Sequence, residues 1–137
     1  MTVVVGYIPD QYGEAALTAA IEEAERRGTG LVVVNATKGD ALVDRRYVGE
    51  SGLTELESRL AGLGIAHEVR QAIGADVAEE LLRVAADSDA DVIVIGLRHR
   101  TPVGKMIMGS VAQRVLLDAT CAVLAIKPTA EGDAAAR

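Results

Sequence analysis

Apolar positions in this chain fall into two alternating kinds of pattern. Val3-Val4-Val5-Gly6-Tyr7-Ile8 is a short apolar run that predicts a first strand, ended by Pro9 and Gly13. Leu17, Ala20, Ile21 and Ala24 then recur at i, i+3, i+4 and i+7, the stripe of an amphipathic helix. Arg26 and Arg27 suit the negative end of its dipole, and Gly28 stops it. Leu31-Val32-Val33-Val34 is continuous rather than alternating, so it predicts a second strand covered on both faces. From Asn35 to Gly49 the periodicity fails. Thr37-Lys38-Gly39-Asp40 has turn chemistry, and Asp44-Arg45-Arg46-Tyr47 mixes both signs of charge. A long irregular connection is predicted there.

The second half repeats the alternation. Leu53, Leu56, Leu60 and Leu63 mark a second helix, stopped by Gly62 and Gly64. Ile65 to Gln71 alternates in part, as an edge strand does. Asp76 with Glu79 three positions on is a capping box for a third helix, whose inner stripe is Val77, Leu81, Val84 and Ala85. Asp91 to Ile95 is a β-branched run that predicts a buried parallel strand. Cys121 to Ile126 predicts the last strand, terminated by Pro128. Between them Val111, Val115 and Leu116 recur at helical spacing. That places a fourth helix from about Ser110, with Ser110 and Gln113 forming a Ser-x-x-Gln cap. The tail from 129 to 137 has charges but no apolar stripe, and is expected to be disordered beyond a domain of residues 1–128.

Strands alternating with helices predict an α/β fold: a single-domain, doubly wound, parallel five-stranded sheet with helices on both faces, Rossmann-like. Five strands and four helices allow the order 3-2-1-4-5. That order has a switch point between the first and fourth strands, where ligands sit beyond the strand carboxyl ends. The end of the first strand (Tyr7, Ile8, Pro9, Asp10) and the long loop from Gly96 to Ser110 would then face one crevice.

Charge singles out the same loop. The 137-residue chain carries net charge -6, which argues against nucleic-acid binding. Yet residues 96–110 hold Arg98, Arg100 and Lys105 and no acid. A cationic loop that ends at a helix N-terminus predicts an anion site. Gly104-Lys105 is not a P-loop: His99 stands where that motif needs glycine, and Met106 where it needs Ser or Thr. His67, His99 and Cys121 lack metal-ligand spacing, so no metal site is predicted. His67 is expected to face solvent. His99 is expected to be an exposed loop residue, with phosphate contact or proton transfer as its functional alternative. Cys121 is expected to be a small buried hydrophobe rather than a redox thiol. With three Tyr and no Phe or Trp, the core must be aliphatic. The N-terminus has no signal-peptide pattern, and no segment approaches the roughly 20 apolar residues of a membrane span. A soluble cytoplasmic protein is expected.

Gly96 followed by Gly109-Ser110 resembles the signature of the universal stress protein family. Nucleotide-binding members carry glycine, two residues, glycine, nine residues, glycine, then serine or threonine. The spacing fits without a gap, except that the second glycine is His99. By element order and length the resemblance runs from Val3 to Lys127. It implies the same strand order and a small, cytoplasmic, non-enzymatic stress-response protein. It also implies ATP or AMP at a site formed by Tyr7, Ile8, Gly96, Arg98, His99, Gly109, Ser110 and Val111. An aspartate commonly follows the family's first strand and contacts adenosine; here that position is Ile8, with Asp10 two residues further on. Retention of Gly96, Gly109, Ser110 and Val111 favours the phosphate end, while Ile8 and His99 weaken the adenosine end. The resemblance further implies a homodimer through the last strand, Cys121 to Lys127, which would otherwise be an exposed apolar edge. Two alternatives stay open: a homodimeric interaction module that binds no nucleotide, and a weak nucleotide hydrolase. No nucleophile–base pair is legible for the latter.

Overall fold

A computed structural model describes residues 2–38, 47–97, 99–100, 106–107 and 109–127, with the backbone alone at 99, 100, 106 and 107. The elements run β1 (Thr2–Gly6), α1 (Gln11–Arg27), β2 (Gly30–Thr37), α2 (Glu50–Ala61), β3 (His67–Ile73), α3 (Val77–Asp87), β4 (Ala90–Gly96), β5 (His99–Arg100), β6 (Met106–Ile107), α4 (Ser110–Asp118) and β7 (Ala122–Ile126). Five strands form one sheet in the order β3-β2-β1-β4-β7, and every pairing in it is parallel. This is the expected doubly wound order. Parallel neighbours cannot be joined by a tight turn, so helices connect successive strands of the sheet.

Alternation along the strands divides the interior into two cores. Val3 and Val5 face α1 and α2, packing with Leu17, Ala20, Leu56 and Leu60. Val4 faces the other way, with Val32, Ile93, Leu81, Val84 and Val115 under α3 and α4. Strand β2 is buried along nearly its whole length, which is why its sequence does not alternate.

Several local expectations are corrected. Gly13 does not end the first strand; it lies in the first turn of α1. A Cβ there would sit 1.8 Å from the Ile8 carbonyl oxygen, so this turn can cross the end of β1 only on a glycine. The cap of α1 is Asp10, whose Oδ1 accepts from the amides of Tyr12 (3.0 Å) and Gly13 (2.8 Å). Strand β2 does not stop at Val34 but continues through Asn35, Ala36 and Thr37, paired residue by residue with β3. Ser110 does not cap α4: the cap residue is Gly109, and among the described residues no side chain caps that helix. The buried positions of α4 are Ala112 and Val115, while Val111 and Leu116 are more than a third exposed. His67 is half-buried, with Nδ1 3.1 Å from the Ile65 carbonyl oxygen. The loop after β4 contains one short antiparallel pair, β5 with β6, which no apolar pattern marked. Residues 39–46, Arg98, Lys105 and the tail from 128 lie outside the described residues.

Candidate functional site

Strands β1 and β4 are parallel neighbours whose connections leave in opposite directions, so a crevice opens above them. A cleft of about 510 Å³ fills it. The end of β1 contributes Gly6, Tyr7 and Ile8, the end of β2 contributes Val34, Ala36 and Thr37, and the end of β4 contributes Ile95, Gly96 and Leu97. Helices supply the rest: Tyr12 and Gly13 from α1, Val77 and Leu81 from α3, and Gly109, Ser110, Val111 and Ala112 at the head of α4. Tyr7, Ile8, Gly96, Gly109, Ser110 and Val111 all line this cleft. Arg98 lies outside the described residues. His99 is placed only by its backbone, opposite Ile107.

The two retained motif glycines do different things. A Cβ at Gly96 would lie 2.8 Å from the backbone oxygen of Tyr12, so Gly96 lets the end of β4 pack against α1. A Cβ at Gly109 would meet nothing within 4 Å. Its φ of −76° and ψ of 168° are open to any residue. Neither packing nor backbone geometry demands a glycine there. Helices α1 and α3 take a side-chain cap from Asp10 and Asp76. Helix α4 takes none among the described residues, and its exposed first residues border the cleft. Its leading amides and the positive end of its dipole are thus presented to the cleft.

The lining is otherwise mostly apolar, and among the described residues it holds no charged side chain. Ile8 stands where the resemblance has an aspartate. Asp10 is engaged in capping α1 and does not replace it. Tyr7 borders the cleft, but its hydroxyl donates to Glu14 Oε2 at 2.6 Å. Burial, then that bond, pushes the Tyr7 phenol well above its ordinary range. Burial works to raise the Glu14 carboxyl. Hydrogen bonds from Arg59, at 2.9 and 3.2 Å, and from Tyr7 outweigh it and hold Glu14 below its usual value.

Two features were not foreseen. Asn35 is fully buried under the cleft. Its Nδ2 donates to the Tyr7 carbonyl at 2.9 Å, and its Oδ1 accepts from the Val48 amide at 2.8 Å and from Gln71 Nε2 at 3.2 Å. It ties the ends of β1 and β2 to the start of the approach to α2. A polar residue directly after four apolar ones was its only signal in the sequence. The other feature is an ion pair beside the cleft, Arg114 Nη1 to Asp76 Oδ1 at 3.3 Å, joining α4 to the cap of α3. The Glu79 amide, followed by the nearby charges of Arg114 and Lys38, holds the Asp76 carboxyl below its usual range.

Comparison with known proteins points in one direction. The model of the universal stress protein family matches residues 1–127. A universal stress protein of Mycolicibacterium smegmatis is 51% identical over 126 residues, covering 92% of this chain and 97% of its own. The structure of a universal stress protein from Archaeoglobus fulgidus superposes with a TM-score of 0.75 at 32% identity, covering 93% of this chain and 98% of that one. A structure of the universal stress protein from Archaeoglobus fulgidus in complex with dAMP gives 0.66 at 28% identity, with the same coverage.

Proposed function

The chain belongs to the universal stress protein family, and we propose that it is a non-enzymatic stress-response protein that binds an adenine nucleotide, ATP or AMP, in the cleft between β1 and β4. One observation carries the reading. Gly109 is a glycine that the fold does not require, at the uncapped head of a helix that opens into the cleft. Open space and helix-leading amides at that point suit a phosphate. The dAMP complex of the Archaeoglobus fulgidus relative supports adenine nucleotide as the ligand class. The apolar lining suits a base, and Ile8 offers the nucleoside no hydrogen bond. Binding is therefore anchored by phosphate. The alternative of a weak nucleotide hydrolase would be established by phosphate release above background that a Ser110 change abolishes. Arg98, Arg100 and Lys105 make the segment between Gly96 and Ser110 cationic in sequence.

The assembly in this proposal is a cytoplasmic homodimer through β7. That strand is the sheet edge opposite β3, and its Leu124 is 37% exposed. An apolar edge strand favours pairing with a second copy. Calorimetric titration with ATP, AMP and adenosine at low and high salt tests the ligand. ATP should bind more tightly than adenosine and weaken as salt rises, because exposed charges are screened. Equal, salt-independent binding of adenosine would place the affinity in the nucleoside instead.

A further inference from the structure

The Asp76–Arg114 pair sits where a phosphate-bearing ligand would compete for it. Val77, next to Asp76, and Ser110, one turn before Arg114, both line the cleft. Residues 110 and 114 share a helix face and lie about 6 Å apart along the axis. Long helical side chains lean back over the turn that precedes them, so the Arg114 side chain leans toward the head of α4. The guanidinium is held at 3.3 Å from Asp76 and 3.5 Å from Asp118, and all three side chains are at least a third exposed. Lys38, directly after the lining residue Thr37, also places its charge near Asp76. Arg114 is thus paired with a carboxylate that is itself fixed by capping α3 through a 2.9 Å bond from the Glu79 amide, and Lys38 adds positive charge nearby.

We propose that Arg114 is a further phosphate-contacting residue of the cleft, held in reserve on Asp76, and that Asp76 sets how strongly the cleft discriminates among ligands of different phosphate charge. The proposal rests on the nucleotide reading above. A ligand with one phosphate is satisfied by the α4 amides. A polyphosphate reaches further and must draw Arg114 away from Asp76 while facing the negative charge of that carboxylate. Removing the charge leaves Arg114 paired with Asp118 alone and lifts the repulsion, so ATP gains most, AMP less and adenosine nothing.

Asp76→Asn is a clean perturbation because asparagine caps a helix as well as aspartate does, and the thermal midpoint should stay near that of the wild type. Titrations of ATP, AMP and adenosine are made on wild type, Asp76→Asn, Arg114→Gln and the double variant. Asp76→Asn should tighten ATP roughly two- to fivefold at low salt, the scale of an exposed ion pair, and leave adenosine unchanged. Arg114→Gln should weaken ATP, and in its background the Asp76→Asn gain should shrink, which marks the two residues as coupled. A gain undiminished without Arg114 overturns the role of the arginine. ATP binding that Asp76→Asn leaves unchanged, or an equal change for adenosine, overturns the selector while sparing the nucleotide site. Absence of binding of all three ligands to wild type overturns the nucleotide reading and the selector with it.

Discussion

Replacing Gly96 and Gly109 by alanine, one at a time, should separate a glycine the fold needs from one the ligand needs. At Gly96 the new Cβ would fall 2.8 Å from the Tyr12 carbonyl oxygen, a backbone atom of α1 that cannot swing aside. Overpacking of this kind costs about 1–3 kcal/mol. For a chain of this length that is a fall in Tm of roughly 4–12 °C. At Gly109 the Cβ would enter open space at φ −76°. Alanine is a poorer helix cap than glycine by up to about 1 kcal/mol. It also loses less chain entropy on folding, worth about 0.4–1 kcal/mol in the other direction. The two nearly cancel, so Tm should move by no more than about 3 °C. Binding should respond the other way. A methyl group at 109 occupies the space where a phosphate approaches the α4 amides. Loss of one hydrogen bond to a charged group costs about 1.5–3 kcal/mol, or roughly ten- to a hundredfold in the Kd for ATP. Thermal melts and calorimetry on the two variants read both effects. The reasoning is refuted if Gly109→Ala melts as low as Gly96→Ala, or if it binds ATP as wild type does.

Other outcomes follow from the same geometry. The double change Ile8→Asp with His99→Gly should tighten ATP by about tenfold or more, since a nucleoside donor left without a partner costs about 1–3 kcal/mol; calorimetry that shows no gain would mean the cleft holds the nucleoside another way. Under the proposed pairing through β7, Leu124→Lys on that exposed edge should yield monomer or insoluble protein, and a variant that sediments as wild type removes this edge as the interface. Glu14 is held below its ordinary value of 4.5 in the folded protein, burial notwithstanding, by Arg59 and Tyr7. Its contribution is therefore present above that value and lost as pH falls through the lower folded one. Glu14→Gln should be less stable than wild type to urea at pH 7 and closer to it near pH 3; a gap that does not narrow on acidification would show that Glu14 is not the group responsible.

The fold was legible because its signals are local and repeated. The run Leu31–Val34 is short, rich in valine and preceded by Gly28 and Gly30, which marks a buried strand rather than a helix, and the stripes at Leu17–Ala24 and Val77–Ala85 have helical spacing. Topology then located the cleft, because its position follows from strand order. What the sequence hid depends on partners far along the chain. Asn35 interrupts an apolar run, yet it remains in the strand because Tyr7, Val48 and Gln71 satisfy it. Gly13 carries the ordinary mark of a turn, but its purpose is the close passage of α1 over Ile8. Ser110 has the chemistry of a cap and sits one residue too late to be one. The contribution of α3 to the cleft, through Val77 and Leu81, depends on how two crossover helices pack side by side. No spacing in the sequence reports that.

The most direct test of the account follows backbone amides of isotopically labelled protein by NMR while ATP is added. The α4 head presents its amides to the cleft, so resonances of Ser110, Val111 and Ala112 should shift progressively to saturation, together with that of Gly96 at the opposite lip. Inorganic phosphate should move the α4 set while leaving Ile8 in place. If ATP at millimolar concentration leaves the Gly109–Ala112 amides unmoved, the cleft does not hold a nucleotide by its phosphates.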